Sequence, residues 1–408
     1  MERLSKTMFC SAAMVVISMF LVSCGGGGGG GGGGSAVQES TTRAYVGTQT
    51  AGDFWTWSMT TNSAGAGTFT ATNEFTGYTY SGTATALTGN ARGFTKLTYT
   101  ASTDPAVAAG ATAYEIEIPG TMVMAVPGPF TQLNNGDGIL YTGSNQPPVM
   151  AIAQGACPTS SGSFNWVMVP PMGWCSGGDA QGACPDGPGS VGPAYGTAQI
   201  TVAGASYSMT VQPYLLQGTS QASFTMVGAT CSDGVISGTD SLGRSLNVAF
   251  TPSGLFFIDL PRGQGSMVGA EASTTVNFSD FLQNGRTFIA WNFMSIRDFN
   301  NPSYTAPDTS AGQATANGTA INGSSFLDLD SGTLQTGSGA TINFVSQPSP
   351  GLITYTLAES DGTHNGAFVV KQISGKYYFF GITDHWEGSH SGADEMAAQN
   401  IFGIETSQ

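Results

Sequence analysis

The sequence predicts an all-β protein, built as two or three antiparallel β-sandwich or β-barrel units. Three observations carry that expectation. From Arg43 onward, short runs of alternating apolar and polar residues are broken by Gly, Asn, Ser and Pro, the pattern of strands and turns. Two hairpins stand out, 246–250 with 255–260 across Thr251-Pro-Ser-Gly254, and 367–373 with 376–380 across Ser374-Gly375. Helical periodicity is nearly absent, and only 271–283 and 394–401 could hold a turn or two of helix.

Taken in order, residues 43–154 read as the first unit. Strand 54–60 puts Trp55 and Trp57 on one face, because successive side chains alternate across a strand. Runs at 67–72, 77–80 and 94–100 follow. In 114–118, Tyr114, Ile116 and Ile118 share a face and Glu115 and Glu117 the other, which reads as apolar inward and charged outward. Runs at 122–126, 139–142 and 149–153 close the unit.

Residues 155–192 change character, crowding Pro, Gly and Cys around one apolar segment, 164–169; they read as an insertion or joint. The second unit covers 193–272 and the third 273–408, with strands expected at 288–293, 342–345 and 352–357. Lys376 to Ile382 is aromatic on both faces, as in a central strand or one between two layers. The two hairpins share an apolar strand, a Ser-Gly turn and a strand with paired aromatics, a hint of duplication.

Before these units lies a leader. Arg3 and Lys6 precede an apolar run from Met8 to Val22, then Leu21-Val22-Ser23-Cys24 and ten glycines, Gly25–Gly34. The run is shorter than the ~20 residues that cross a bilayer as a helix, so it reads as a secretory signal; an uncleaved N-terminal anchor is the alternative. Leu21-Val22-Ser23-Cys24 resembles the lipobox of bacterial lipoproteins. That resemblance implies removal of residues 1–23, diacylation of the Cys24 sulfur and acylation of its new amine. It also implies an outer-membrane destination, since Gly26 stands where an aspartate would mark inner-membrane retention. Two or more acyl chains anchor stably, where one does so marginally. Residues 24–42 then form a tether whose glycine run spans roughly 16–19 Å as a flexible coil.

Beyond residue 23, nine basic residues stand against 25 acidic ones, a net charge of −16. Nucleic-acid phosphate and anionic membrane surface both repel such a body, so no nucleic-acid partner is expected. Charged residues are only 9 % of the chain and aromatics 10 %, too much aromatic area for a disordered chain. With Cys10 in the leader and Cys24 lipidated, Cys157, Cys175, Cys184 and Cys231 remain, which reads as two disulfides with three pairings open. Cys157 and Cys184 sit in the same pentapeptide, Gln-Gly-Ala-Cys-Pro.

Candidate chemistry is sparse. His385, Glu387 and His390, within 384–395, offer imidazole and carboxylate to a divalent metal, but lack the H-E-x-x-H spacing, and a polar loop is the plainer reading. Glu115/Glu117 and Asp328/Asp330 are carboxylate pairs of the kind glycoside hydrolysis uses, though two acids on one strand usually make a solvated face. Asp328-Leu-Asp330-Ser-Gly332 and 134–138 complete no calcium loop, and 263–269 is one residue off a dinucleotide loop. Trp55 and Trp57 could form a stacking platform for sugar or peptide, or pack in a core.

The leading expectation is therefore an outer-membrane-anchored lipoprotein with a non-enzymatic structural, adhesion or ligand-binding role and no cofactor. Its partners would be the bilayer, through acylated Cys24, and an envelope protein, peptide or glycan. The alternatives are an envelope hydrolase acting on glycan or peptide, and a metal-binding lipoprotein using 384–395.

Overall fold

A computed structural model describes residues 39–49, 53–126, 131–134, 139–142, 149–169, 194–216, 218–261, 265–273, 276–298, 305–328, 333–336, 341–358, 363–388 and 394–406. Residues 39–408 form one compact unit, and within it the strands close into three successive antiparallel rings.

The first ring runs β1 (Ser40–Gln49), β2 (Phe54–Asn62), β3 (Ala66–Asn73), β4 (Thr79–Ala86), β5 (Thr95–Ser102), β6 (Thr112–Ile118) and β7 (Met122–Val126). A hairpin, β8 (Thr131–Asn134) and β9 (Ile139–Thr142), leaves the ring before β10 (Val149–Ala153) returns and closes it against β1, Tyr45 opposite Ala153. Among the described residues the second ring is a plain meander: β11 (Gly162–Val169), β12 (Ala194–Ala203), β13 (Ser206–Leu215), β14 (Phe224–Ser232), β15 (Val235–Thr239), β16 (Ser245–Phe250), β17 (Leu255–Asp259) and β18 (Ser266–Glu271). It closes from β18 to β11.

The third ring begins after one helical turn, α1 (Phe278–Phe281), with β19 (Thr287–Asp298), β20 (Thr305–Ala316) and β21 (Ala320–Asp328). A short β22 (Thr333–Thr336) hangs on β21, and the ring continues through β23 (Thr341–Ser349), β24 (Leu352–Ala358), β25 (Thr363–Ile373), β26 (Lys376–Gly388) and β27 (Asp394–Glu405). Closure is from β27 to β19, and β20 meets β21 over 312–316, so eight strands again encircle a core. The β8–β9 hairpin of the first ring adds to β20 beyond that seam, Tyr141 opposite Thr309, and straps the first ring to the third.

Closed rings leave no long exposed edge, and an eight-stranded ring is just wide enough for side chains to fill. The first holds Tyr45, Trp55, Trp57, Met59, Phe69, Tyr80, Leu97 and Tyr99; the third holds Phe281, Phe288, Tyr355, Phe368, Tyr377 and Phe379. One local device recurs in all three. A large ring lies directly across from a glycine on the next strand: Phe69 from Gly82, Trp166 from Gly196, Tyr355 from Gly366, Phe368 from Gly381, and Phe379 from Gly403. A Cβ on Gly381 would stand 2.2 Å from Phe368 Cε1, so only glycine leaves space for the aromatic ring to lie across its neighbour.

Several expectations change. Barrels, not sandwiches, realise the all-β class. Residues 164–169 are part of β11, a ring strand, rather than of a joint. Residues 394–401 are strand, because β27 pairs on both sides, with β19 and with β26; the α1 turn, capped by Asn277 accepting from Ser279 N and Asp280 N, lies inside the other predicted helical stretch. Strand β26 does lie between two layers: Tyr377 and Phe379 face the third ring's interior, while Tyr378 and Phe380 join the cluster shared with the second ring. The Cys157–Cys231 disulfide ties the segment entering the second ring to β14; Cys175 and Cys184 lie outside the described residues.

Candidate functional site

Strand β6 puts its two carboxylates inside the first ring. Ala113, on the same face, belongs to the interior cluster, whereas Tyr114, Ile116 and Ile118 face out into the cluster shared with the other rings. The alternation read from sequence is right and its direction is reversed: a covered outer face needs apolar residues as much as an interior does.

Inside, Glu117 is clamped. Arg43 Nε donates to its Oε1 at 2.7 Å and Nη2 to Oε2 at 2.9 Å, a bidentate pair, and Tyr45 Oη donates to Oε1 at 2.7 Å. Gly120 N donates to Tyr45 Oη at 3.0 Å, and Arg43 Nη2 also donates to Thr61 Oγ1. Bonding to Glu117 raises the Arg43 pKa further, while burial, then Glu117, pushes the Tyr45 phenol well up.

Two residues back, Glu115 is 0 % exposed, and neither carboxyl oxygen has a hydrogen-bond partner. Burial, then the neighbouring Glu117 charge, raises its pKa well above the usual carboxylate range, opposed by Arg43. Two carboxyls on one strand are thus split, Glu115 biased towards its protonated form by burial and Glu117 paired with a guanidinium. Glycosidases tune acids in this way, but Glu115 is sealed in a packed core.

A second polar group lies where the first two rings meet. Thr48, on the outer face of β1, donates from Oγ1 to Asp259 Oδ1 of β17 at 2.6 Å. Asn247, opposite Asp259 on β16, also hydrogen-bonds to that carboxyl. Asp53 accepts from Asn73 Nδ2 at 2.9 Å nearby, and Phe54 contacts Phe257 at 6.2 Å between ring centroids. Desolvation chiefly, with a contribution from Asp53, raises Asp259 to about 7 against the hydrogen bonds from Thr48 and Asn247.

The other predicted residues fall elsewhere. Trp55 and Trp57 share a face, but it is the interior of the first ring, where they are 2 % and 4 % exposed. Trp55 stacks on Tyr80 and donates to Gln49, and Trp57 stacks on Phe69, so the platform gives way to core. His385 and Glu387 lie on strand β26, opposite Ala397 and Glu395, rather than in a loop; His390, Asp330 and Cys24 lie outside the described residues. Among the described residues, no group of three His, Cys, Asp or Glu is placed to hold a metal ion, and no helix is long and apolar enough to cross a membrane. The Thr48–Asp259 contact joins residues 211 apart and left no short-range signal in the sequence.

No family model and no curated protein matches the chain. Solved structures do. A mutant of the vaccine antigen transferrin binding protein B from Haemophilus parasuis Hp5 is 7 % identical, with 90 % of this chain and 77 % of that one covered, at a TM-score of 0.25. The isotype 1 transferrin binding protein B from serogroup B Neisseria meningitidis is 13 % identical, with 87 % and 66 % covered, at a TM-score of 0.26. Likenesses this loose carry no argument about function, and the all-β class rests on the strand ladders themselves.

Proposed function

We propose that this is a lipoprotein anchored in a bacterial outer membrane through acylated Cys24, and that it works by binding rather than by catalysis. Its three rings act as a filled scaffold that presents outer faces and connecting loops to an envelope protein, peptide or glycan. The observation that carries the binding reading is the occupancy of the ring interiors. The first and third are packed with their own aromatic side chains, so a ligand would meet the outside, where recognition by a rigid scaffold's loops is common. The leader residues and the glycine run support the anchor; the acidic balance favours a partner that is neutral or basic.

Two measurements test the reading. Mass spectrometry of the mature protein should find Cys24 as first residue with acyl mass, and Cys24→Ala should move the protein from the membrane to the soluble fraction. Recovery with residues 1–23 attached, or without acyl mass on Cys24, overturns the anchor. For the role, site-specific crosslinking from loop positions in native membranes should trap one defined partner; turnover of an envelope glycan or peptide by the purified protein overturns the non-catalytic reading.

A further inference from the structure

Asp259 sits on the outer face of the second ring. Its cross-strand partner on β16 is Asn247, whose own partner on β15, Ser237, is exposed, and directly opposed residues share a face. An outward position on a closed ring is normally wet. Asp259 is nevertheless only 6 % exposed, with β1 packed on β17 and the Thr48 hydroxyl bonded to its carboxyl. The burial of this acid therefore reports whether the first two rings are joined.

We propose that the Asp259 carboxyl, buried where the first and second rings meet, is a proton-operated latch between them. Among the described residues, the groups around Asp259 are few. From the first ring come Thr48 on β1 and the Asp53 carboxyl ahead of β2; from the second come Asn247 on β16 and, opposite it on β18, Ser266. Asp53 is the one charged group among these, and its charge repels an ionised Asp259. With the joint closed, the acid holds its proton to about 7; with the joint open, it returns towards the ordinary 3.8. Between those values the closed joint binds a proton that the open joint releases. Closure is therefore favoured at low pH, weakens as pH rises through the window, and changes no further above about 7. One linked proton changes the open-to-closed ratio by up to ~10-fold per pH unit.

Distances between spin labels in the full chain, read by pulsed electron spin resonance, test the latch. For labels at Thr70 of the first ring and Thr201 of the second, both exposed, the ratio of separated to joined population should rise by up to ~100-fold between about pH 5 and about pH 7 and then level off, while the distance between labels at Thr201 and Ser237, both in the second ring, stays constant. Asp259→Asn should flatten that response. Thr48→Val, which keeps the acid but removes a bond that favours its charged form, should move the response to higher pH. Wild type and Asp259→Asn showing the same pH dependence at the joint, or Thr48→Val leaving its midpoint in place, overturns the latch.

Discussion

An ionised carboxylate with no partner inside a packed barrel costs several kcal/mol, so burial holds the Glu115 proton to a pH well above the ordinary carboxylate range. The unfolded chain gives that proton up near the ordinary carboxylate value. The native state therefore binds more protons above it, and stability falls as pH rises. Thermal melts across pH 5–9 should show that fall in wild type and a flatter profile in Glu115→Gln; parallel profiles would mean that another group controls it. Arg43→Ala removes the bidentate partner of Glu117 and leaves a half-buried carboxylate held by Tyr45 alone, which should cost about 1–3 kcal/mol in a urea titration. At this scale the pairing of side chains into faces was readable, since alternation is a local property of a strand. The inward direction of Glu115 was not, because the outer face of β6 is covered by residues far away in the sequence.

The glycines opposite aromatic residues are the clearest element-level device. Gly381→Val drives a branched side chain into Phe368, and should destabilise by about 1–3 kcal/mol or more. Combining Phe368→Ala with Gly381→Val should cost less than the sum of the single changes, as a double-mutant cycle on urea midpoints would show; strict additivity would mean that the two do not share the site. Strand runs such as 54–60 and the hairpin at Ser374-Gly375 were legible because propensity, period and turn chemistry agree there. At 394–401, Asp-Glu-Met-Ala-Ala has the composition of a helix, yet two flanking strands supply ladders on both edges and override local preference. Which glycine serves which aromatic residue depends on register, and register is settled only by the assembled ring.

Across the whole molecule, the Cys157–Cys231 bridge closes a loop of 74 positions. Replacing Cys231 with Ser should cost about 4 kcal/mol, seen as a lower melting temperature that added reductant does not lower further through this bond. The β8–β9 excursion left no trace in the sequence beyond an ordinary apolar run. Each ring is sealed by its earliest strand meeting its latest: Tyr45 with Ala153, Phe164 with Glu271, Phe288 with Glu405. During synthesis, then, the first ring can shut long before the third has all its staves. A nonsense codon or proteolytic nick ahead of Asp394 would spare the first two and leave β19 and β26 as raw adjoining edges, open to the next chain. Damage at the tail of this protein would thus surface as clumping rather than as the quiet loss of one domain.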